Sequence, residues 1–297
     1  MAILVSVSGR HELTDAEWAL LAPLMPDNPP KGGQWADHRR VINAVLFRTR
    51  TGIPWRDLPE RYGPWETAAG RHRRWCLDGT WQRIADRLRI DAATGEDLVV
   101  GIDSTSVRAH SHAAGAAKKG SGTGRSGRLG STGTFPGGLT TKIHLIADQR
   151  RRPLVTATSP GQRGDAPMFE PLMVALHLPR SVGRPRTRPD RLLADKAYSS
   201  AAIRSHLSRR GIKATIAQPA DQRANRRRRG SAGGRPPAFD RGAYRGRNTV
   251  ERAINLLKQN RAVATRYDKR AAIYDGTVQL ASIRIWLRDL TRSKNTA

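Results

Sequence analysis

A chain of 297 residues is long enough to bury a substantial core in one large or two modest domains. Its 53 Lys+Arg against 25 Asp+Glu give a formal net charge of +28, an imbalance that points to a polyanionic partner, with nucleic acid ahead of membrane. No apolar run approaches membrane-spanning length, and the single Cys76 allows neither an internal disulfide nor a cysteine-based metal site, so the expectation is a soluble cytoplasmic protein with no membrane partner.

The first helix is announced by Thr14-x-x-Glu17, a capping box, and stops near Pro23. Asp37 caps a second helix in which Val41, Ala44, Val45 and Arg48 recur on one face, and Gly52-Ile-Pro54 ends it. A third helix is expected over 66–77, with Arg71, Arg73 and Arg74 exposed and Trp75 buried. This all-α segment fits a helix-turn-helix-like module or plain helical packing. A linker over 91–97 leads to Leu98–Asp103, a short apolar run that ends on a carboxylate and reads as a strand.

Residues 111–138 hold nine glycines among Ser, Lys and Arg, a composition too polar to pack, and Lys118, Lys119, Arg125 and Arg128 would let this loop track phosphates. Regular structure resumes with strand 141–147, a turn over 148–153 and a hairpin partner at 154–158. A helix at 167–177 follows, then an apolar segment, 191–195, that ends on Asp195, a helix near 199–210 and a strand at 212–217. Alternating strands and helices after a hairpin imply a mixed sheet flanked by helices. Residues 218–246 read as an irregular basic loop. At the end of the chain, Leu280, Ile283, Leu287 and Leu290 form an amphipathic helix that covers the core or meets a second subunit. Charge divides unevenly: residues 1–97 carry 14 Lys+Arg and 13 Asp+Glu, which leaves 39 and 12, net +27, for 98–297. The phosphate-binding surface therefore falls on the second part.

The stretch Tyr244–Lys258 reads as one helix with two faces. Val250, Ala253, Ile254 and Leu257 share an apolar stripe, while Arg247, Glu251, Asn255 and Lys258 share an arc about 80° wide. Taken alone, Arg247 and Glu251 read more readily as a surface i,i+4 ion pair than as a functional pair. Tyr244, Arg247, Glu251 and Lys258, however, stand at Y-x2-R-x3-E-x6-K, and YRGRNTVERAINLLKQNRAVATRYDK resembles the DDE transposases of insertion sequences, those of the IS5 type in particular. WADHRRVINAVLFRTRTGIPWRDLPERYGPW and GQRGDAPMFEPL carry the resemblance over nearly the whole chain. Asp103 in GIDST and Asp195 in LLADKAYSS stand where that family has its first two acids; the glycine usual after Asp-Lys is here Ala197.

The resemblance implies an RNase H-like catalytic domain over 98–297, with basic loops at 111–138 and 218–246, behind a helical DNA-binding domain over 1–97. It implies Asp103, Asp195 and Glu251 as catalytic carboxylates holding two Mg2+, with Mn2+ as a substitute, because in-line phosphodiester displacement by water or a 3′-hydroxyl needs a metal pair and no protein nucleophile. Tyr244, Arg247 and Lys258, with Arg71, Arg73 and Arg74, would contact DNA. The partners implied are terminal inverted repeats and target DNA, with a homodimer or larger assembly on the DNA near the nucleoid. The competing readings are an RNase H-like nuclease without strand transfer and an inactive DNA-binding relative, which would have no reason to keep all three acids. His110 and His112 carry no assignment, since no His/Cys set has zinc spacing.

Overall fold

The computed structural model describes residues 9, 11–28, 33–90, 97–114, 133–135 and 138–294. Helix α1 (Asp15–Leu21) starts on the reciprocal cap read from the sequence: the Glu17 amide donates to Thr14 Oγ1 at 3.2 Å and the Thr14 amide to Glu17 Oε2 at 2.8 Å. In α2 (His38–Thr51) the Asp37 carboxylate accepts from the Arg40 amide at 2.6 Å, and Gly52 closes the helix in the left-handed region at φ 72°. The expected stripe of α2 is buried, including Arg48, whose charge is met by Asp268 at 3.3 Å and by the face of Trp55. Two short 3-10 turns lead to α3 (Trp65–Leu77), and the two-residue turn Asp78-Gly79 leads to α4 (Thr80–Leu88).

Strand β1 (Val99–Ala109) opens the sheet and runs well past Asp103, into α5 (Ser111–Ala114). Then come β2 (Gly133–Phe135), β3 (Gly138–Asp148), β4 (Pro153–Pro160), α6 (Phe169–Ala175), β5 (Arg191–Ala194), α7 (Ala201–Arg209) and β6 (Lys213–Ile216). The chain closes with α8 (Ala220–Arg228), α9 (Arg241–Tyr244), α10 (Asn248–Lys258), α11 (Arg261–Ala264), β7 (Thr265–Arg266) and α12 (Ala271–Lys294). None of the helices among the described residues is long and apolar enough to cross a membrane.

Five strands lie in the order β4-β3-β1-β5-β6, antiparallel through β4, β3 and β1 and parallel from β1 to β5 and β6. β2 extends the β3 edge and β7 pairs with the end of β1. This mixed sheet with helices on both faces has an RNase H-like topology, and an all-helical segment precedes it. Alternation along β1 and β3 separates two cores. Val100, Ile102 and Ile146 face one core, which also takes in α1, α2, α4, α6 and α7; Val107, Ile143, Leu145 and Ala147 face a second, built on α10. Helix α12 serves both: Leu280, Ile283 and Trp286 pack in the first, Tyr274, Val278 and Ala281 in the second. It therefore covers the core of its own chain, as the apolar spacing suggested.

Four expectations need correction. Residues 218–246 are not an irregular loop throughout: α8 and α9 form there, and Arg226 Nε ties α8 to Gly233 O at 3.2 Å. No residue of α8 is buried, so it has no apolar stripe from which a helix could be read. In 111–138, 111–114 are helical and 133–135 add a strand to β3; Lys118, Lys119, Arg125 and Arg128 lie outside the described residues. The stretch 244–258 is not one helix, because Arg245–Arg247 tighten into a 3-10 turn before α10. Finally, Arg71 is buried rather than exposed: its guanidinium stacks over Trp35 at 3.9 Å and Trp75 at 5.5 Å and reaches His38 Nδ1 at 3.2 Å.

Candidate active site

β1 and β5 pair in parallel with Ile102 beside Ala194, and the next residue of each segment is a carboxylate, Asp103 within β1 and Asp195 just past the end of β5. Residues level in a parallel pair point to the same face, so the two acids emerge side by side. Backbone donors hold each: Ser104 N to Asp103 Oδ1 at 2.8 Å and Ala197 N to Asp195 Oδ1 at 2.8 Å. The second bond closes the 3-10 turn Lys196–Tyr198. Arg151 is the one non-glycine residue with positive φ among those described, so Ala197 is accommodated without strain where the family has glycine.

The third acid is delivered by α10, and two glycines set how close it comes. A Cβ on Gly101 would stand 2.8 Å from Val250 Cβ, so only glycine lets the helix lie this near β1. At Gly246 a Cβ would meet Gln149 Oε1 at 2.9 Å and Leu193 Cδ1 at 3.1 Å, so the 3-10 turn before the helix is pressed onto β5. Val250, Ala253, Ile254 and Leu257 fill the second core, leaving Glu251 half-buried on the adjoining face.

Arg247 joins the acids. It donates to Glu251 Oε1, and its Nη1 stands 3.8 Å from Asp103 Oδ2. The pair expected of a plain surface helix thus exists, but its cation is shared with a strand carboxylate. Burial pushes the Asp103 carboxyl up to about 6; Asp195 and Glu251 push the same way, while the Ser104 amide and Arg247 oppose them. Asp103 therefore feels both other acids across the site. Partial burial works against the charge of Arg247, yet Glu251, Tyr244 and Asp103 raise its pKa above the usual arginine range.

Tyr244 lies 5.8 Å under the Arg247 guanidinium and packs on Phe239, so it forms a platform for that arginine. Lys258 Nζ reaches Ser106 O on β1 at 3.4 Å, and burial lowers its pKa. Arg73 and Arg74 are exposed on α3 as expected, the latter beside Trp35, and no contact joins them to the acids.

Sequence reasoning passed over a second row beside the acids. Ser104 Oγ donates to Asp165 Oδ1 at 2.6 Å and Lys142 Nζ donates to the same oxygen at 2.9 Å. Burial would raise the Asp165 pKa, but these two bonds win and lower it. The Tyr198 hydroxyl is buried without a hydrogen-bond partner among the described residues, and burial together with Asp165, Asp103 and Asp195 raises its pKa. Asp165 does stand inside GQRGDAPMFEPL, but an Asp before Ala-Pro reads equally well as a turn former.

All the donors that converge here are carboxylate oxygens, a set that suits a hard divalent cation, and their mutual repulsion at Asp103 is what such a cation would relieve. As the side chains stand, no three acidic, histidine or cysteine groups close around a single point among the described residues; Arg247 supplies the positive charge.

The sequence pattern of the family described as "Transposase DDE domain" matches residues 94–281, and that of the family described as "Putative transposase of IS4/5 family" matches 13–85. The chain belongs to the DDE transposases of insertion sequences. A Brucella ovis protein named "Putative transposase for insertion sequence element IS6501" is 31% identical over 150 residues, half of this transposase and all of the relative. "Uncharacterized protein y4sN" of Sinorhizobium fredii is 38% identical over 106 residues, 35% of this transposase and 82% of that protein. Among solved structures, a piggyBac transposase synaptic complex with hairpin DNA aligns over 95% of this transposase and 72% of that chain, at 10% identity and a TM-score of 0.46. The transposase is therefore a DNA-cutting and strand-transfer enzyme of a family that works with divalent metal.

Proposed function

We propose that the transposase cuts DNA at the two ends of its insertion sequence and joins the freed 3′ ends to target DNA, with Asp103, Asp195 and Glu251 as the catalytic carboxylates. One observation supports this reading: a parallel strand pair and a helix held close by Gly101 carry three acids that lie far apart in the chain, near enough that the Asp103 carboxyl feels the other two. The three acids would hold two Mg2+, with Mn2+ as a substitute, and the bound metals would supply activation of the attacking oxygen and charge stabilisation at the leaving one.

The chain's own groups do the rest. Backbone amides of Ser104 and Ala197 fix one oxygen of each aspartate, so that the other oxygen is aimed before substrate arrives. Arg247, poised on its Tyr244 platform, turns its guanidinium to the phosphate beside the cut, and Lys258 provides a second donor. Exposed Arg73 and Arg74 on α3 meet the terminal inverted repeat, which makes residues 1–97 the end-reading part and 98–297 the cutting part. Two ends joined in one event call for two copies of the chain on the DNA, in the compartment that holds the nucleoid.

The experiment is incubation of the full chain with pre-cut element ends and a target duplex in Mg2+. Joined products are expected. Hydrolysis of the same DNA without joining would replace this reading with that of an RNase H-like nuclease.

A further inference from the structure

A cavity of about 120 Å3 lies between α2, α10, α12 and the β3–β4 turn, and none of the three acids lines it. Six arginines do: Arg50 from α2, Arg150 and Arg151 from the turn, and Arg284, Arg288 and Arg292 at i, i+4 and i+8 along α12. The one carboxylate in the lining, Asp289, already pairs with Arg150 at 3.0 Å and with Arg152 at 3.3 Å. Like charges at i,i+4 repel; Glu17 meets Arg284 at 2.8 Å from the α1 side, and the guanidinium-rich lining as a whole still outnumbers its one carboxylate. Burial lowers the Arg284 pKa to about 10, and Arg288 adds to the effect against the pull of Glu17.

The backbone carries a second, independent sign. Arg151 is held at φ 67°, a conformation that side chains rarely adopt and that a turn of this kind would ordinarily give to glycine or asparagine. Such strain persists where a side chain is wanted in a set place, and this side chain lines the cavity. Guanidinium forks match phosphate oxygens two by two. Arg50 comes from the end-reading part and the other five from the cutting part, so one bound ligand would tie the two together.

We propose that this arginine cavity is a second DNA-backbone site, which takes phosphate groups of the duplex away from the position being cut. It rests on the reading of the chain as a DNA transposase. The test compares full-length wild type with the triple variant Arg151→Gly, Arg288→Gln, Arg292→Gln and with a control that removes the same charge elsewhere, Arg56→Gln, Arg87→Gln, Arg209→Gln. Affinity for a labelled random-sequence duplex is measured in EDTA across a salt series. Unchanged thermal unfolding of the variants is checked in parallel, and glycine suits the backbone at 151.

The cavity variant should lose roughly tenfold or more in affinity, and its log-log salt slope should flatten by about 0.9 per lost phosphate contact, while the control stays near wild type. A slope equal to wild type, or a control that flattens as much, overturns the site and leaves the transposase reading standing. A wild type that does not bind duplex at all overturns both. Tripolyphosphate supplies the other source of the same chemistry: if it raises the melting midpoint of wild type but not of the cavity variant, and the duplex slope is unchanged, the cavity takes a free polyphosphate and the DNA assignment is wrong.

Discussion

At the scale of single residues, the placement of Glu251 depends on an atom that is missing. Gly101→Ala puts a Cβ 2.8 Å from that of Val250, and either β1 or α10 must move. The expected cost is about 1–3 kcal/mol of stability from overpacking, with cleavage lowered roughly tenfold to a hundredfold because the third carboxylate shifts from the other two. Gly70→Ala on α3 meets nothing within 4 Å and should gain about 0.5–1 kcal/mol, so the pair separates crowding from a general effect of losing glycine. Equal melting midpoints for the two variants would show that Gly101 does not set the position of α10.

His72 offers a pH test. Trp81 Nε1 donates to its Nδ1 at 3.2 Å, so the ring accepts there and its proton sits on Nε2, toward Thr277 Oγ1 at 3.3 Å. Burial, with Arg48 adding to it, lowers the His72 pKa to about 4, although Asp268 opposes. Below 6.5 the unfolded chain takes up a proton that the folded ring refuses. The stability His72 contributes is therefore present above about pH 6.5 and is lost as pH falls toward 4. NMR titration should find the ring neutral at pH 5.5; a midpoint near 6.5 would contradict the geometry.

The acids were legible as residues, because each ends an apolar run or sits on the polar arc of a periodic helix. The contact of Arg247 with Asp103 and the bond of Ser104 to Asp165 were not, since each joins segments far apart in the chain whose register no local spacing encodes.

At the scale of elements, caps were the most legible features. The Thr14 box, the Asp37 cap and the Gly52 stop stand where local chemistry put them, since each is satisfied within one turn. Helix α8 escaped notice because it buries nothing, and Arg71 was misjudged because its aromatic partner Trp35 is 36 residues away in sequence. Helix α12 shows how far the parts depend on one another. Its apolar face meets α3 and α4, and Arg284 pairs with buried Glu17 of α1 at 2.8 Å. A fragment of residues 98–297 would leave that face bare. We expect it to aggregate or to lose cooperative unfolding; a fragment that melts in one sharp transition with the near-UV signature of the full chain would show that the helices are dispensable to the core.

At the scale of the molecule, charge and chemistry occupy different places. The acids proposed to cut lie at mid-β1, just after β5 and on α10, while most of the excess of Lys and Arg lies elsewhere on 98–297, including exposed α8 and the arginine cavity. Binding to DNA of arbitrary sequence should therefore weaken steeply with salt, by about 0.9 log units per log unit of salt for each phosphate engaged, and a flat dependence would contradict a backbone-driven interface. Composition made this footprint legible. The order of strands was not, because β1 pairs with β3, β5 and β7 across long stretches of chain.

The proposed function turns on whether Glu251 is a catalytic carboxylate or only the partner of Arg247, and one paired measurement separates the two. Glu251→Gln keeps size and hydrogen bonding and removes the charge. If Glu251 is only a surface pair, the change costs at most about 1 kcal/mol of stability and leaves cleavage nearly intact. If it is the third catalytic carboxylate, cleavage of a labelled element end in Mg2+ falls by orders of magnitude, while affinity for the same DNA in EDTA is kept or tightened, since a negative charge facing phosphate has gone. We expect the second outcome. Retained cleavage in the Glu251→Gln protein would move the active site elsewhere and take Asp103 and Asp195 with it.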